Sequence, residues 1–412
     1  MTWRTKQLRD LADLCLGKML DKEKNKGELR PYLANLNVRW GTFDLSDLRE
    51  MRFEDREIER YGIRTGDIVM CEGGEPGRCA IWRDQRPGMM LQKAIHRIRS
   101  RLEVDHRFLF YSLVHKGQTR ALDQYFTGST IKHLPSEKLA LVEVEYPALE
   151  AQRRIASILS AYDDLIENNA RRIAILEEMA RRLYEEWFVR FRFPGHEGVR
   201  MVESEMGLVP QGWEVTTLGQ LAEVNARSVR RGAEPTEIQY VDISSVSTGS
   251  IDKKERLLFA DAPGRARRIV RDGDVIWACV RPNRKSYSLV LNPEPNLLVS
   301  TGFAVLSPVA VPCSFLYQCV TTKDFVSHLV NHAKGATYPA VSAADFDNAK
   351  VLKPSDNLVA DFDELAEPMM RLVAALHLKN QNLRTTRDLL LPKLISGELD
   401  VSTLAEPQAQ TT

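Results

Sequence analysis

From Ile155 to Trp187 the chain repeats apolar side chains in steps of mostly three and four. They are Ile155, Ile158, Tyr162, Leu165, Ile173, Leu176, Met179 or Ala180, Leu183 and Trp187, with polar Asn169 as the single interruption. This is the stripe of an amphipathic helix with coiled-coil character. A helix over 151–189 would reach about 58 Å, longer than a small domain is wide. A second stripe starts with Phe362 and Leu365 and continues as Met369, Leu372, Leu376, Leu383 and Leu390. Pro368 is expected to open a new helix at its first turn, and Pro392 and Gly397 to close it. Either helix alone would leave apolar surface exposed, so the two are expected to pair.

Outside the helices the pattern is that of short strands. Asp67-Ile68-Val69-Met70 and Asp274-Val275-Ile276-Trp277 are brief apolar runs between glycines and prolines. These runs belong to an internal repeat. Trp3, Leu8, Leu11 and Ala12 recur as Trp213, Leu218, Leu221 and Ala222, a shift of 210. Tyr32, Val38 and Gly41 recur as Tyr240, Val246 and Gly249, a shift of 208. Gly66-Asp67, Gly128, Thr130 and Leu183 recur as Gly273-Asp274, Gly335, Thr337 and Leu390, a shift of 207. One unit of roughly two hundred residues is therefore written twice. The predicted fold is α+β: a strand-rich domain over 1–149, a helix over 150–191, a linker over 192–212, a second strand-rich domain over 213–355, a helix over 356–400 and a tail over 401–412.

Composition narrows the function classes. With 43% hydrophobic and 27% charged residues the chain is globular, and no run is long and apolar enough for a membrane helix. The polar start Met1-Thr2-Trp3-Arg4 lacks the apolar stretch of a secretory signal. The six cysteines have no C-x-x-C spacing, which points to reduced structural thiols in a cytoplasmic protein. His96, His106 and His115 are too scattered for a metal site. Net charge is +3 over 1–150 and +2 over 208–357, too small to announce a nucleic-acid partner. Catalytic signatures are missing as well. Asn292-Pro293-Glu294-Pro295 lacks the Asn-Pro-Pro-aromatic order of an adenine-methyltransferase base pocket, Gly73-Gly74-Glu75-Pro76-Gly77 lacks the lysine of a phosphate loop, and no H-E-x-x-H is present.

Several strings carry a family resemblance. They are Gly128-Ser129-Thr130-Ile131-Lys132-His133-Leu134, Glu150-Ala151-Gln152-Arg153-Arg154-Ile155, Tyr184-Glu185-Glu186-Trp187-Phe188, Gly207-Leu208-Val209-Pro210-Gln211-Gly212-Trp213-Glu214 and Leu391-Pro392-Lys393-Leu394-Ile395-Ser396-Gly397. In combination the chain resembles the DNA-specificity subunit of type I restriction-modification systems over essentially its whole length. The resemblance implies two target-recognition domains, each reading half of a bipartite, asymmetric duplex site. It implies two long helices paired antiparallel that hold the domains at a fixed separation. It also implies docking of two methyltransferase subunits and of restriction-translocase subunits, with no catalysis in this chain. S-adenosylmethionine, ATP and magnesium would belong to those partners. A protein-interaction scaffold and a solitary decoy or regulatory specificity subunit remain as alternatives.

The candidate DNA contacts fall in two places. Arg281, Asn283, Arg284 and Lys285 follow an apolar strand, interrupted by Pro282; arginine suits guanine, asparagine adenine and lysine phosphate. Arg78 occupies the related turn of the first copy. The Gly-Ser/Ala-Thr motif supplies Ser129, Thr130, Lys132 and His133 in the first copy and Thr337 and Tyr338 in the second, on glycines that permit close backbone approach. Arg265, Arg267, Arg268 and Arg271 suit a phosphate patch better than a base reader. Because the Gly-x-Thr motif is common to both copies, any difference in specificity must come from the residues around it.

Overall fold

A computed structural model describes residues 2–21 and 25–401, so all but the first residue of the expected tail lies outside the described residues. By contacts the chain forms two units. The first comprises Met1–Asn168 with Asn380–Thr412, and the second Asn169–Lys379. The division therefore cuts both long helices, and each strand-rich domain carries part of each helix. This differs from the linear succession expected from the sequence.

The repeat extends to the topology of the main sheets. The first unit contains a four-stranded antiparallel sheet in the order Ala12–Leu16, Ile95–Ser100, Ile68–Cys71, Cys79–Ile81. The second contains Ala222–Val224, Phe303–Pro308, Val275–Ala278 and Tyr287–Leu289 in the same order. Arg4–Gln7 pairs with Glu143–Tyr146, as Glu214–Thr217 pairs with Lys350–Lys353. A further sheet joins Arg49–Phe53, Glu28–Leu33 and Met90–Leu91, the last pair parallel, and is matched by Glu255–Leu258, Glu237–Val241 and Leu297–Ser300. Divergence begins at its edge. The first copy has the helix Asp55–Tyr61 where the second adds the strand Ala266–Ile269.

The apolar runs are continuous because the sheet is buried on both faces. Ile68 and Met70 face one core, Val69 and Cys71 another; Val275 and Trp277 separate from Ile276 and Ala278 in the same way. One face of each four-stranded sheet packs toward its own helix segments. The first unit's core joins Ile68 and Ile98 to Phe108, Leu113, Ile155, Leu159, Leu391 and Leu394. The second joins Val275 and Trp277 to Phe315, Tyr184, Trp187, Phe188 and Phe362.

The long helices are Leu149–Tyr184, continued by a wider turn over Glu185–Val189, and Asp356–Ile395. In the first unit they run antiparallel. Arg154 reaches the Val401 carbonyl, Asp163 is paired with Arg387, and Asn380 donates to the Ile166 carbonyl. Tyr111 also donates to Asp163 at 2.6 Å, tying the domain to the helix pair. Each unit buries one asparagine of the seam, Asn380 in the first and Asn169 in the second. Buried polar positions of this kind favour one helix register over alternatives.

Three local expectations change. Asp356–Ile395 is one helix through both Pro368 and Pro392. Pro368 removes one backbone donor, but Phe362, Ala366 and Met370 are buried around it and hold the helix in place. The buried stripe accordingly passes through those residues, and Leu365 and Leu372 are exposed. The expected linker contains a hairpin, Met201–Ser204 with Gly207–Pro210, and buries Phe193 and Val209.

Phe362 is fully buried, 5.2 Å from the Phe188 ring and 5.8 Å from that of Tyr184. Phe362→Ala should destabilise the second unit by about 3–5 kcal/mol. Denaturant unfolding followed by tryptophan fluorescence measures this. A loss below about 1 kcal/mol would mean that this seam is loosely packed.

Candidate nucleic-acid interface

In each unit the central sheet strand runs out into a turn, and a later loop folds back against it. In the first unit the loop is closed by paired bonds, Thr127 N–H to His133 at 2.8 Å and His133 N–H to Thr127 at 2.9 Å. Leu134 N–H then donates to the Glu72 carbonyl at 2.7 Å, and Gly73 bridges His133. The second unit repeats each bond. Lys334 and Ala340 exchange two bonds of 2.9 Å, Val341 N–H donates to Cys279 at 3.0 Å, and Val280 bridges Ala340. These bonds set the repeat register at 207 for the loop and the outgoing strand, so that Gly73 is the counterpart of Val280. Past the turn the register is 208: Cys71 N–H donates to the Arg78 carbonyl and Ala278 N–H to that of Ser286, so Ser286 is the counterpart of Arg78, and Lys285 that of Gly77.

The glycines earn their place by backbone geometry. Gly128 and Gly335 have φ of +91° and +104°. A Cβ at Gly128 would lie 2.2 Å from the Ile131 carbonyl oxygen, and one at Gly335 3.1 Å from that of Tyr338. The loop therefore turns tightly and projects the next residues, Ser129, Thr130 and Ile131 or Thr337 and Tyr338, into solvent. Ile131 and Tyr338 occupy equivalent positions and are each 66% exposed.

At the opposite end of each central strand sits a duplicated brace. Asp67 accepts from Arg64 N–H and from two nitrogens of Arg99 at 2.7 Å each. Asp274 accepts from Arg271 N–H at 2.8 Å and from Arg227 at 3.0 Å. Both carboxylates are buried, and burial is tolerable because each is paired and hydrogen-bonded. The first tip rests on buried His96, whose ring is 2.8 Å from the Leu134 carbonyl. Burial lowers the pKa of His96, which keeps the ring uncharged at neutral pH.

The second tip brings the two sequence candidates together across 56 residues. Arg281 N–H donates to the Pro339 carbonyl at 2.7 Å, its Nη2 donates to the Thr337 carbonyl at 3.3 Å, and its guanidinium lies 4.6 Å from the Tyr338 ring centre. Asn283, Arg284 and Lys285 are exposed on the adjoining short turn Pro282–Arg284. Arg281, Arg284 and Lys285 have no ion-pair partner among the described residues. Arg281 and Lys285 flank the turn in left-handed conformation, φ +54° and +55°. Each such residue costs about 1–2 kcal/mol relative to ordinary backbone.

The first tip is electrostatically quieter. Arg78 has a side chain only 16% exposed; it pairs with Glu75 at 2.6 Å and donates to the Asn35 carbonyl at 2.9 Å. Its role in this geometry is to brace the turn, which differs from the free DNA contact expected of it. Lys132 lies 3.8 Å from Asp123 and 5.9 Å from the Phe126 ring centre. His133 faces Glu72 at 3.9 Å and packs over Gly73, where a Cβ would sit 2.9 Å from its Nδ1. Ser129 and Thr130 are exposed, and sequence reasoning passed over Ile131 between them and Lys132. The arginine patch is partly engaged: Arg267 stacks 4.9 Å from Phe259 and Arg268 reaches Ser228, while Arg265 and Arg271 are exposed.

Three substitutions separate frame from tip. Lys285→Gly relieves the left-handed cost at some expense in chain entropy, about 0.5–1 kcal/mol, so Tm should hold or rise slightly. A fall of several degrees would show that the Lys285 side chain is structural. Gly128→Ala should disturb its loop more than Gly335→Ala disturbs the other, by about 1–3 kcal/mol. Amide exchange at Thr127 and His133, against Lys334 and Ala340, reads the difference, and equal effects would contradict it.

Comparison with known proteins agrees with this architecture. The type I restriction modification DNA specificity domain matches residues 1–178. The MjaIX specificity subunit of Methanocaldococcus jannaschii, a type I restriction enzyme component, is 24% identical over 98% of this chain and 94% of its own length. The MjaVIII specificity subunit of the same organism is 22% identical with the same coverage. A crystal structure of the S subunit from M. genitalium covers 96% of both chains with a TM-score of 0.61 at 18% identity, which shows a common fold. With its doubled topology, the chain is similar from end to end to the specificity subunits of type I restriction enzymes, and its first 178 residues match their DNA specificity domain.

Proposed function

We propose that this chain is the DNA-recognition subunit of a type I restriction-modification complex, each unit reading one half of a bipartite, asymmetric duplex site. One observation carries the reading: the same hydrogen-bonded tip is built twice, 207 residues apart, and holds different exposed side chains. A shared frame gives two readers of one type, and different tips give two different half-sites. Linking them raises the effective concentration of the second reader once the first has bound.

In this reading the chain directs chemistry that partners perform. Two methyltransferase subunits would modify adenine, and restriction-translocase subunits would cut; S-adenosylmethionine, ATP and magnesium would be held there. Exposed Leu165 and Leu389 in the first unit, and Ile175, Met179, Leu372 and Leu378 in the second, offer helical apolar surface for docking. Near-neutral net charge fits a shared task, in which partners supply part of the phosphate neutralisation. No helix among the described residues is long and apolar enough to cross a membrane, and the cysteines are free thiols. Both features are compatible with the cytoplasm, where the DNA would be met.

The test is to exchange residues 1–145 for the corresponding domain of a relative and map adenine methylation with the methyltransferase partner present. One half-site should change and the other persist. Simultaneous change of both, or methyl transfer by the pure chain alone, would contradict the reading.

A further inference from the structure

We infer that Arg281, held against the ring of Tyr338, reads a guanine in the half-site of the second unit, with Tyr338 as its positioning residue. The inference rests on the proposed DNA-recognition function and assigns the base, the reading side chain and its support.

The geometry selects Arg281 from the basic residues around it. Its backbone is fixed in a left-handed conformation by the bond to Pro339, and its guanidinium is fixed by Tyr338 and the Thr337 carbonyl. A guanidinium has five donors, and the Thr337 contact uses one nitrogen, so donors remain for the O6 and N7 acceptors of guanine. No carboxylate among the described residues competes for it. Holding the side chain in place beforehand removes ordering cost from the binding step. Arg284 and Lys285 are exposed without comparable restraint and suit phosphate contacts. Arg267, which is also stacked on a ring, lies half-buried on a sheet strand rather than at a tip.

The first unit supplies an internal contrast. At the 207-residue register the counterparts of Arg281 and Tyr338 are Gly74 and Ile131. Gly74 has no side chain to donate, and Ile131 presents only methyl groups, so this tip has no equivalent guanine reader. The preference should therefore appear in one half-site only.

The experiment uses the full chain assembled with its methyltransferase partner, on a duplex library randomised across both half-sites. The parent should demand a guanine at one position of the second half-site. Arg281→Ala should abolish that preference, a loss of roughly 5- to 150-fold in discrimination, and leave the first half-site unchanged. Tyr338→Phe keeps the ring and should keep the preference; Tyr338→Leu should weaken it. Replacing that guanine by 7-deazaguanine removes the N7 acceptor. It should weaken binding by the parent and make no difference to Arg281→Ala, an outcome that a purely structural arginine would not give. Retention of the first half-site serves as the check on folding. Uniform weakening across all sequences would make Arg281 a phosphate contact and overturn the inference while leaving the proposed function standing. An unchanged consensus in Arg281→Ala would do the same. Failure of the parent complex to select any bipartite sequence would overturn both.

Discussion

The structure depends on one burial requirement: the apolar stripes of two long helices must be covered within each unit. Neither strand-rich domain closes its core without them. Ile155, Leu159, Leu391 and Leu394 complete the core under Phe108 and Leu113, and Tyr184, Phe188 and Phe362 complete the one under Phe315 and Trp277. The helix segments are as much a part of each unit as its sheets are. That is why contacts divide the chain across the helices rather than between helix and sheet. It also explains how a proline at position 368 is accommodated, since tertiary packing supplies what the missing hydrogen bond does not.

On that frame the two tips are free to diverge. The Asp67 and Asp274 braces, the positive-φ glycines and the loop-closing bonds are duplicated, and they are backbone or buried features. Of the exposed positions between them, Thr130 recurs as Thr337 and most of the others differ. The first tip pairs most of its charge internally, Arg78 with Glu75 and Lys132 with Asp123. The second leaves Arg281, Arg284 and Lys285 unpaired among the described residues and holds two of them in a costly conformation. Left-handed backbone retained at a basic turn fits the binding role proposed for it.

Much of this was legible in the residues themselves. The repeat needed only matching buried leucines and turn glycines, and the apolar runs announced strands buried on both faces. What was not legible depended on contacts distant in sequence. Arg281 and Tyr338 lie 57 residues apart, and nothing local says that they meet. Sequence alone gives Arg78 as a free arginine, although Glu75 three residues earlier signals the internal pairing that the structure shows. The exchange of the helix Asp55–Tyr61 for the strand Ala266–Ile269 was invisible because both segments are short and amphipathic in either period. The helical stripe was misplaced by one residue at Leu365 and Leu372, since leucine outweighs alanine in any count of apolar residues while Ala366 is the one that packs.

The central claim is that equivalent tips of the duplicated frame meet different half-sites of one DNA. A photo-activated side chain placed at position 131 or at position 338, in the chain assembled with its methyltransferase partner, tests it directly. Crosslinks from position 131 should map to one half-site and those from position 338 to the other. Crosslinking of both positions to the same half-site, or of neither to DNA that the complex demonstrably binds, would contradict the account.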